Sequence, residues 1–426
     1  MAALRSQLGV FALAGAVLVS AAMLTAGPLD PPAGPVSPSY RTLAEVEPRT
    51  PISESNTPGD ADSQFRITQP GSYYLTGNIT GVNGKSGIEI AASGVTLDLN
   101  GFTMTGVAGS LDGVSVTSTG PSGIAVKNGT VIGWGRAGID LSFLAANEDC
   151  LVESIQALNN GDIGIAMSGR AVVRGCVATG NVSLGIHALV EATLSNCIAR
   201  GNGSGIAAGP GSTLDNCVAA TNSGDGFLAS SSIDGGMTFI NCSAARNVGD
   251  GFQLASMGNT LVGCAAYRNG GDGFQLSSGS SISNSVAIDN GGSGFDLAAG
   301  CSITSCNARM NDLDGIRATA NVQILNNICT SNGQDAAVGA GIHTIGVDNR
   351  IEGNACNHND SGIDVDAAGS IIFRNTCTGN TINWVLAGNN VFGPIVDRKS
   401  PGSAAVSGDS AADTSANTSP NANFTY

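Results

Sequence analysis

The chain has 426 residues with 61 glycines, only 4% aromatic and 12% charged residues, and a formal net charge of −15. This composition gives too few large side chains for a conventional globular core, and it favours closely stacked backbone with small residues between the layers. The acidic excess argues against a nucleic-acid partner, which needs a row of cations, and against attraction to anionic membranes.

The first 63 residues predict an export signal followed by a linker. Arg5 precedes an uncharged run rich in alanine and glycine, so residues 1–26 are predicted to be a secretory signal peptide. The run is also long enough for an uncleaved membrane anchor. In either case we expect the body of the protein outside the cytoplasm, secreted or in the periplasm or cell envelope. Residues 27–63, rich in proline, serine and threonine, are predicted to form a linker.

Beyond residue 63 a short motif recurs, in which glycine is followed by an apolar residue, any residue, and another small or apolar residue. Successive glycines of this motif are 20 to 26 residues apart, most often 21. We call each of them a marker glycine. They are Gly87, Gly113, Gly138, Gly164, Gly185, Gly205, Gly226, Gly251, Gly273, Gly294, Gly315, Gly341 and Gly362. A period this regular predicts a repeat architecture.

A column of cysteines runs in register with the marker glycines. It begins at Cys176, and asparagine replaces cysteine in the last rungs, at 327, 354 and 375. In those same rungs the residue two positions later changes from alanine to cysteine. Residues i and i+2 of a strand face the same side, so the two changes compensate within one interior layer. The 11 cysteines are therefore predicted to be buried thiols, with disulfides or metal ligation as the alternatives.

A second polar column consists of asparagine, from Asn181 to Asn380. Asparagine tolerates left-handed backbone and bonds to neighbouring main chain, so this column predicts a repeated tight bend. Short strands with a period of about 21 residues and no helical periodicity predict an all-β solenoid. Three short strands per turn correspond to a right-handed parallel β-helix, predicted over residues 64–396. Residues 397–426 are of low complexity and are predicted to be a disordered tail.

The asparagine bend, the cysteine and alanine interior, and the segment GVTLDLNGFTMTG at 94–106 resemble the pectate-lyase-like superfamily of right-handed parallel β-helices. In particular the chain is similar to uncharacterised groups of exported bacterial β-helix repeat proteins. The resemblance covers roughly residues 65–396 and implies the fold. It leaves activity open, because this architecture carries lyases, hydrolases, epimerases, adhesins and binding proteins alike.

Three consecutive rungs carry an acid directly before the marker glycine, at Asp225, Asp250 and Asp272. The simplest interpretation is that each aspartate caps its turn by accepting main-chain N–H bonds. Stacked carboxylates could alternatively draw in a cation such as Ca²⁺. A third hypothesis is catalysis, because polygalacturonases place acids similarly. Their paired aspartates and their Gly-His-Gly and Arg-Ile-Lys signatures are absent from this sequence.

A second candidate set lies two residues after the marker glycine, on the outward side of the strand. Asp296, Arg317, His343 and Asp364 occupy this column in adjacent rungs, and Asp366 flanks them. Such a set could bind a sugar chain. In a lyase or epimerase, Arg317 would neutralise the sugar carboxylate and His343 would remove the C5 proton. The alternative is an ordinary polar surface.

The sequence thus predicts an exported β-helix that is structural or binds a polysaccharide or cell surface. The alternative function is a lyase, epimerase or hydrolase of acidic polysaccharides. The rungs lack the long inserted loops that wall an enzyme's groove, which favours the non-catalytic hypothesis. No cofactor is predicted apart from the Ca²⁺ considered above. No nucleic-acid partner is expected, and no membrane contact beyond the N-terminal segment.

Overall fold

The computed structural model describes residues 47–117, 120–142, 149–229, 235–333, 339–397, 407–408 and 420–425. Residues Arg49–Tyr426 form one compact unit, and Met1–Pro48 form another, of which only residues 47 and 48 are described. The predicted signal peptide and most of the predicted linker therefore lie outside the described residues. No helix long and apolar enough to cross a membrane occurs in the described ranges.

The fold is the predicted all-β solenoid, in which every strand pairs in parallel with the equivalent strand of the next turn. One sheet, which we call the marker sheet, contains the marker glycines and has 16 strands in the described residues. These are Ser63–Ile67, Ser86–Ile90, Val114–Val116, Ile139–Leu141, Ile165–Met167, Leu184–Ala188, Ser204–Ala208, Phe227–Ala229, Phe252–Leu254, Phe274–Leu276, Phe295–Leu297, Ile316–Ala318, Ala340–Thr344, Ser361–Val365, Ile382–Leu386 and Ser407–Gly408.

The other sheet, which we call the corner sheet, has 30 described strands in two columns that meet at a bend in every turn. The first column contains Thr50–Pro51, Gly71–Tyr74, Val95–Asp98, Val172–Arg174, Thr193–Ser195, Thr213–Asp215, Thr238–Ile240, Thr260–Val262, Ser281–Ser283, Ser302–Thr304, Gln323–Leu325, Arg350–Glu352, Ile371–Phe373 and Val391–Phe392. The second contains Ile79–Thr80, Thr103–Thr105, Val177–Thr179, Ile198–Arg200, Val218–Ala220, Ser243–Ala245, Ala265–Tyr267, Val286–Ile288, Asn307–Arg309, Ile328–Thr330, Ala355–Asn357, Thr376–Thr378, Ile395–Asp397 and Asn423–Thr425. Two longer strands, Ala125–Ile132 and Leu151–Leu158, run through both columns.

The interior is filled by columns of equivalent side chains. Four phenylalanines that follow marker glycines are fully buried and stack ring on ring, with centroids 4.6 to 5.0 Å apart. They are Phe227, Phe252, Phe274 and Phe295. This distance is close to the ~4.8 Å between neighbouring strands. The rings therefore stack because the four phenylalanines occupy equivalent positions of paired strands. Each ring thus covers the next and excludes water from the centre of the solenoid.

All 11 cysteines are free and buried, as predicted. Their column also has a polar role, because each thiol from 176 to 264 lies near a carbonyl oxygen of the preceding turn. The Sγ of Cys242, for example, is 3.4 Å from the carbonyl oxygen of Leu214. Where asparagine replaces cysteine, its amide takes the same position, and Nδ2 of Asn354 donates to the carbonyl of Ile324 at 2.8 Å. Cysteine and asparagine can therefore alternate without leaving that carbonyl unpaired.

The asparagine column forms a continuous ladder of buried hydrogen bonds. The Nδ2 of Asn269 donates to the carbonyl of Ala244 and to Oδ1 of Asn290, while its own Oδ1 accepts from Asn247. The predicted bend exists, but the left-handed residue is the one that precedes each asparagine. Arg246 and Arg268, at φ of 56° and 54°, are two such residues. The asparagine itself points inward, where its amide links one turn to the next.

The marker glycines are required by close approach of the backbone. A Cβ at Gly251 would lie 2.5 Å from the carbonyl oxygen of Gly273 and 2.8 Å from Nδ2 of Asn269. Gly251 and Gly273 have no positive φ, so a left-handed backbone is not the reason for glycine at these positions. Glycine is needed because the next turn and the asparagine ladder leave no room for a side chain.

The solenoid extends beyond the predicted limits of 64–396 at both ends. Thr50–Pro51, within the predicted linker, pairs with Gly71–Tyr74. The next residue, Ile52, is buried in the core, and its N–H donates to the carbonyl of Tyr74. Asn423–Thr425, within the predicted disordered tail, lies between Thr376–Thr378 and Ile395–Asp397. Asn423 joins the cysteine and asparagine column by accepting from Asn375. The composition of these two segments did not predict strands, because each segment forms a strand only by pairing with residues of other turns.

Candidate functional site

The acid row before the marker glycines is part of the backbone hydrogen-bonding of the turns. Oδ1 of Asp225 accepts the N–H of Asp250 at 2.8 Å, Oδ1 of Asp250 accepts that of Asp272 at 2.7 Å, and Oδ1 of Asp272 accepts that of Ser293 at 2.6 Å. Each carboxylate therefore caps the following turn, as the turn interpretation predicts.

Burial gives two of these acids raised pKa values. The pKa of Asp272 is raised to about 6, mainly by burial and further by the nearby Asp296 and Asp250 carboxylates. The pKa of Asp250 is raised by burial as well. Asp272 is thus partly protonated near neutral pH, which the repulsion expected between stacked carboxylates also favours.

Two groups of acidic or histidine side chains in the described residues have ligand atoms within 4.8 Å of one another. They are His343 with Asp364 and Asp366, and Asp60 with Asp62 and Glu89. The predicted Ca²⁺ row of Asp225, Asp250 and Asp272 is in neither group. Oδ1 of each row member already accepts a backbone N–H, which uses part of the acceptor capacity of the carboxylate. The Ca²⁺ site stays a prediction.

The outward candidates lie in adjacent turns of the marker sheet, in the predicted order. Asp296 pairs in register with Arg317, Arg317 with His343, and His343 with Asp364. All four side chains are half-buried. The predicted register of these four residues is confirmed, and a binding or catalytic role for this face stays a prediction.

Arg317 lies at the centre of the face. Its Nη1 donates to both carboxylate oxygens of Asp296, at 3.0 and 3.2 Å. The other guanidinium nitrogens make no hydrogen bond to the described protein, and the side chain is 38% exposed. Arg317 separates two depressions, of about 310 and 270 Å³, and lines both. Gln275, Ser277 and Thr319 supply polar groups to the larger one.

His343 is held between the carboxylate of Asp366, which the sequence placed beside this face, and that of Asp314, which the sequence did not link to it. Its Nδ1 is 3.1 Å from Oδ2 of Asp314 and its Nε2 is 3.1 Å from Oδ2 of Asp366. The hydrogen bond to Asp314 raises the pKa of His343 to about 9, against the lowering effect of burial. At neutral pH the ring is therefore an imidazolium that donates from both nitrogens. It cannot serve there as the base proposed for C5 proton removal.

Asp364 completes the face with a buried carboxylate. Its Oδ1 is inaccessible to solvent and has no hydrogen-bond partner in the described protein. Burial raises the pKa of Asp364, and the positive charge of His343 partly offsets this rise. The nearby imidazolium is the main compensation for this acid.

Comparison with known families identifies the repeat. The family described as "right handed beta helix region" matches residues 189–320. This match identifies that part of the chain as a right-handed β-helix region. The matched region contains the stacked phenylalanines, the acid row and the first two residues of the outward face.

Solved β-helices resemble this one at low sequence identity. The A-module of the Azotobacter vinelandii mannuronan C-5 epimerase AlgE6 is 17% identical, with 83% of this chain and 89% of that chain covered and a TM-score of 0.40. The periplasmic alginate epimerase AlgG is 12% identical, covering 70% and 80%, with a TM-score of 0.39. The tailspike receptor-binding domain of Siphovirus 9NA is 10% identical, covering 91% and 78%, with a TM-score of 0.44. No curated protein matches by sequence.

Acids outnumber cations on the candidate face of this β-helix. Besides Arg317 and His343, the two depressions and their rims carry Asp272, Asp296, Asp314, Asp360, Asp364 and Asp366. Both cations are already paired with carboxylates. The face is therefore rich in hydrogen-bonding groups but offers little net attraction to an acidic polymer.

A further depression, of about 290 Å³, lies near the N-terminal end of the marker sheet and was not found from the sequence. Glu89, Asp112 and Asp140 line it together with Arg136, which approaches Asp112 at 3.6 Å. Burial raises the pKa values of Glu89 and Asp112. The sequence could have indicated this depression, because Glu89 and Asp140 lie two residues after a marker glycine, in the same outward column as Asp296.

Proposed function

We propose that this protein is a non-catalytic, polysaccharide-binding β-helix, whose glycan lies along the marker sheet across the Asp296–Arg317 pair. The observation that carries the proposal is the position of Arg317 between two depressions, with Nη1 fixed by Asp296 and its other donors directed to no protein acceptor. A guanidinium held in this way is pre-organised to donate to sugar hydroxyl groups.

The surroundings of Arg317 support a sugar ligand. Gln253, Gln275 and Asp296 precede it in the same outward column, one in each turn. Amide, carboxylate and guanidinium groups are planar and can bond two neighbouring hydroxyls at once. A linear glycan running along the solenoid would meet one such group about every 4.8 Å.

The charge of the face supports a neutral glycan over an acidic one. Six carboxylates lie on or beside the depressions, and the two cations among them are paired within the protein. A uronic-acid polymer would bring further negative charge to this surface, at an electrostatic cost that the paired cations do not offset. Hydroxyl groups carry no such cost.

A hydrolase is the second candidate, and Asp272 is the observation that favours it. Its pKa of about 6 suits a group that donates a proton near neutral pH. A lyase or epimerase has less support, because it needs a base and His343 is protonated at neutral pH. Both ring nitrogens of His343 also contact carboxylates. The paired acid of an inverting hydrolase has no assigned residue here.

The test measures binding and turnover together. Purified protein is titrated with neutral polysaccharides and, separately, incubated with neutral and uronate polymers while reducing ends and unsaturated products are followed. Arg317→Ala is expected to weaken glycan binding at least tenfold, whereas Arg174→Ala leaves it within twofold. Arg174 is a matched control, because it pairs with Glu153 on the corner sheet. Product formation that is lost in Asp272→Asn would replace the binding proposal with the hydrolase.

We also propose that the protein acts outside the cytoplasm, in the periplasm, in the cell envelope or as a secreted protein. The support is the apolar N-terminal run that follows Arg5. A reporter that folds only after export, fused after residue 63, is expected to be active. An inactive fusion that accumulates in the cytoplasm would contradict this location.

A further inference from the structure

We propose a second binding surface, on the corner sheet, for an extended polysaccharide that carries carboxylate groups. It consists of Arg200, Arg246, Tyr267, Arg268 and Arg309, which we call the arginine strip. The strip is separate from the marker-sheet face and does not depend on the function proposed for that face.

Register aligns the strip along the solenoid. Arg200, Tyr267 and Arg309 occupy one outward column of the corner sheet, linked through the paired residues of the turns between them. Arg200 precedes Tyr267 by three turns and Arg309 follows it by two. At ~4.8 Å per turn the strip is about 24 Å long. Its length suits several units of a linear polymer.

Small side chains leave the strip accessible. Ala220 and Ala245 occupy the column between Arg200 and Tyr267, so this part of the strip has small neighbours, whereas Ile288 lies between Tyr267 and Arg309. Arg246 and Arg268 occupy the left-handed corner positions, with φ of 56° and 54°, where the chain turns outward. Arg200, Arg246, Arg268 and Arg309 are all exposed.

The strip contains the arginines whose charges the protein does not compensate. Twelve arginines lie in the described ranges. Nine of them have a carboxylate within 4.0 Å: Arg49, Arg66, Arg136, Arg170, Arg174, Arg268, Arg317, Arg350 and Arg374. The described arginines without such a partner are Arg200, Arg246 and Arg309, and all three belong to the strip. In a chain of net charge −15, this alignment concentrates positive potential on one surface.

Tyr267 organises the middle of the strip. The guanidinium carbon of Arg268 lies 4.9 Å from the centroid of the tyrosine ring, and that of Arg246 lies 5.9 Å from it. Such contacts orient guanidinium groups while leaving their edges free to donate. Arg268 also donates through Nε to Oδ2 of Asp289 at 2.5 Å, and this bond fixes the orientation of its guanidinium group. The ring and its two arginines thus form a pre-organised site for a planar anion.

The chemistry of the strip favours a carboxylated polysaccharide over other polyanions. A guanidinium binds a carboxylate through two parallel hydrogen bonds. Strands of the strip pair on both sides, so no free edge is available for a peptide to add a strand. Nucleic acid would need more aromatic platforms than the single tyrosine that the strip supplies.

The test uses the full chain and oligouronates of about eight sugar units, with neutral oligosaccharides of equal length as the comparison. The strip variant is Arg200→Gln/Arg246→Gln/Arg309→Gln. The matched control is Arg174→Gln/Arg350→Gln/Arg374→Gln, which changes the net charge equally by replacing paired arginines outside the strip. We expect the strip variant to bind oligouronate at least tenfold more weakly and the control to remain within twofold of wild type.

Further readouts separate this site from the alternatives. Oligouronate affinity should fall with added salt, less steeply in the strip variant, and Arg317→Ala should leave it unchanged. Equal losses in the two triple variants would reduce the effect to overall charge and overturn the proposal. A loss of neutral-oligosaccharide affinity in the strip variant as large as its loss of oligouronate affinity would also overturn it. Equal affinity for polyglutamate or oligodeoxythymidylate would do the same, as would the absence of oligouronate binding by a wild-type protein with a native spectrum.

Discussion

His343 and Asp314 are joined by a hydrogen bond of 3.1 Å between Nδ1 and Oδ2, although 29 residues separate them. Asp314 also accepts the N–H of Ala340 through Oδ1, at 2.7 Å. One carboxylate therefore both caps a turn and holds the imidazolium above it. This relationship makes His343 a structural cation and gives the protein a measurable dependence on pH.

We predict that His343 stabilises the fold at neutral pH and stops doing so in alkali. Its folded pKa of about 9 exceeds the ordinary value of 6.5, so the stabilisation is complete below pH 6.5 and is lost as pH rises through 9. Its size is of order 2–3 kcal/mol. The difference in unfolding free energy between wild type and His343→Gln should therefore shrink between pH 6.5 and 9.

His187 provides the control for that measurement. Burial lowers the pKa of His187, so its linkage to stability lies below pH 6.5 and has the opposite sign. The difference between wild type and His187→Gln should stay constant from pH 7 to 10. Titration of the His343 ring by NMR gives its pKa directly. A value near 6.5 would contradict the buried ion-pair interpretation.

Asp272→Asn is predicted to stabilise the protein at neutral pH. The asparagine Oδ1 can still accept the N–H of Ser293, while the cost of ionising a buried acid disappears. Because the folded pKa of Asp272 is raised from 3.8 to about 6, this cost develops as pH rises from 4 to 6 and is constant above. We expect a gain of roughly 1–3 kcal/mol at pH 8 and none at pH 4. Equal effects at both pH values would show that ionisation is not the cause.

Asn269→Ala is predicted to weaken the solenoid locally. The substitution removes the hydrogen bonds to Ala244 and Asn290 and leaves donors of Asn247 unpaired inside the protein. Loss of buried hydrogen bonds of this kind costs roughly 2–4 kcal/mol. Amide hydrogen exchange should accelerate most in the turns on either side. The matched control is Asn357→Ala, at an outward position of the corner sheet, which should change stability by less than about 0.5 kcal/mol.

All 11 cysteines should be unreactive in the folded state and reactive after unfolding. Each thiol is buried, and burial raises the pKa of Cys306 to about 12, which suppresses the reactive thiolate. A thiol reagent should therefore titrate no cysteine in buffer and 11 in denaturant without reductant. Fewer than 11 in denaturant would indicate disulfides, which the sequence left open as an alternative.

The fold was predictable because each turn repeats the same physical requirements. The marker glycines report the close approach to the next turn, and the asparagine and cysteine columns report hydrogen bonds that every interior layer must make. The contacts of His343 were not predictable in this way. Asp314 and Asp366 approach it from neighbouring positions through side-chain geometry, which no repeat encodes.

The arginine strip escaped prediction for a related reason. Outward residues of the second column vary from turn to turn, so Arg200, Tyr267 and Arg309 leave no periodic signal. These arginines differ from the others because no carboxylate of the described protein lies close to them, whereas most other described arginines are paired. That information exists only once the solenoid has folded and each acid has a position.

The C-terminal strand has a practical consequence for handling the protein. Asn423 accepts from Asn375, and Thr425 donates to the carbonyl of Cys377, so these residues add a further layer to the interior columns. A truncation at residue 419 would remove Asn423–Thr425 and its pairing with two strands of the solenoid. An affinity tag inserted within residues 27–46 avoids every described strand, and it is the safer choice for producing protein to test the predictions above.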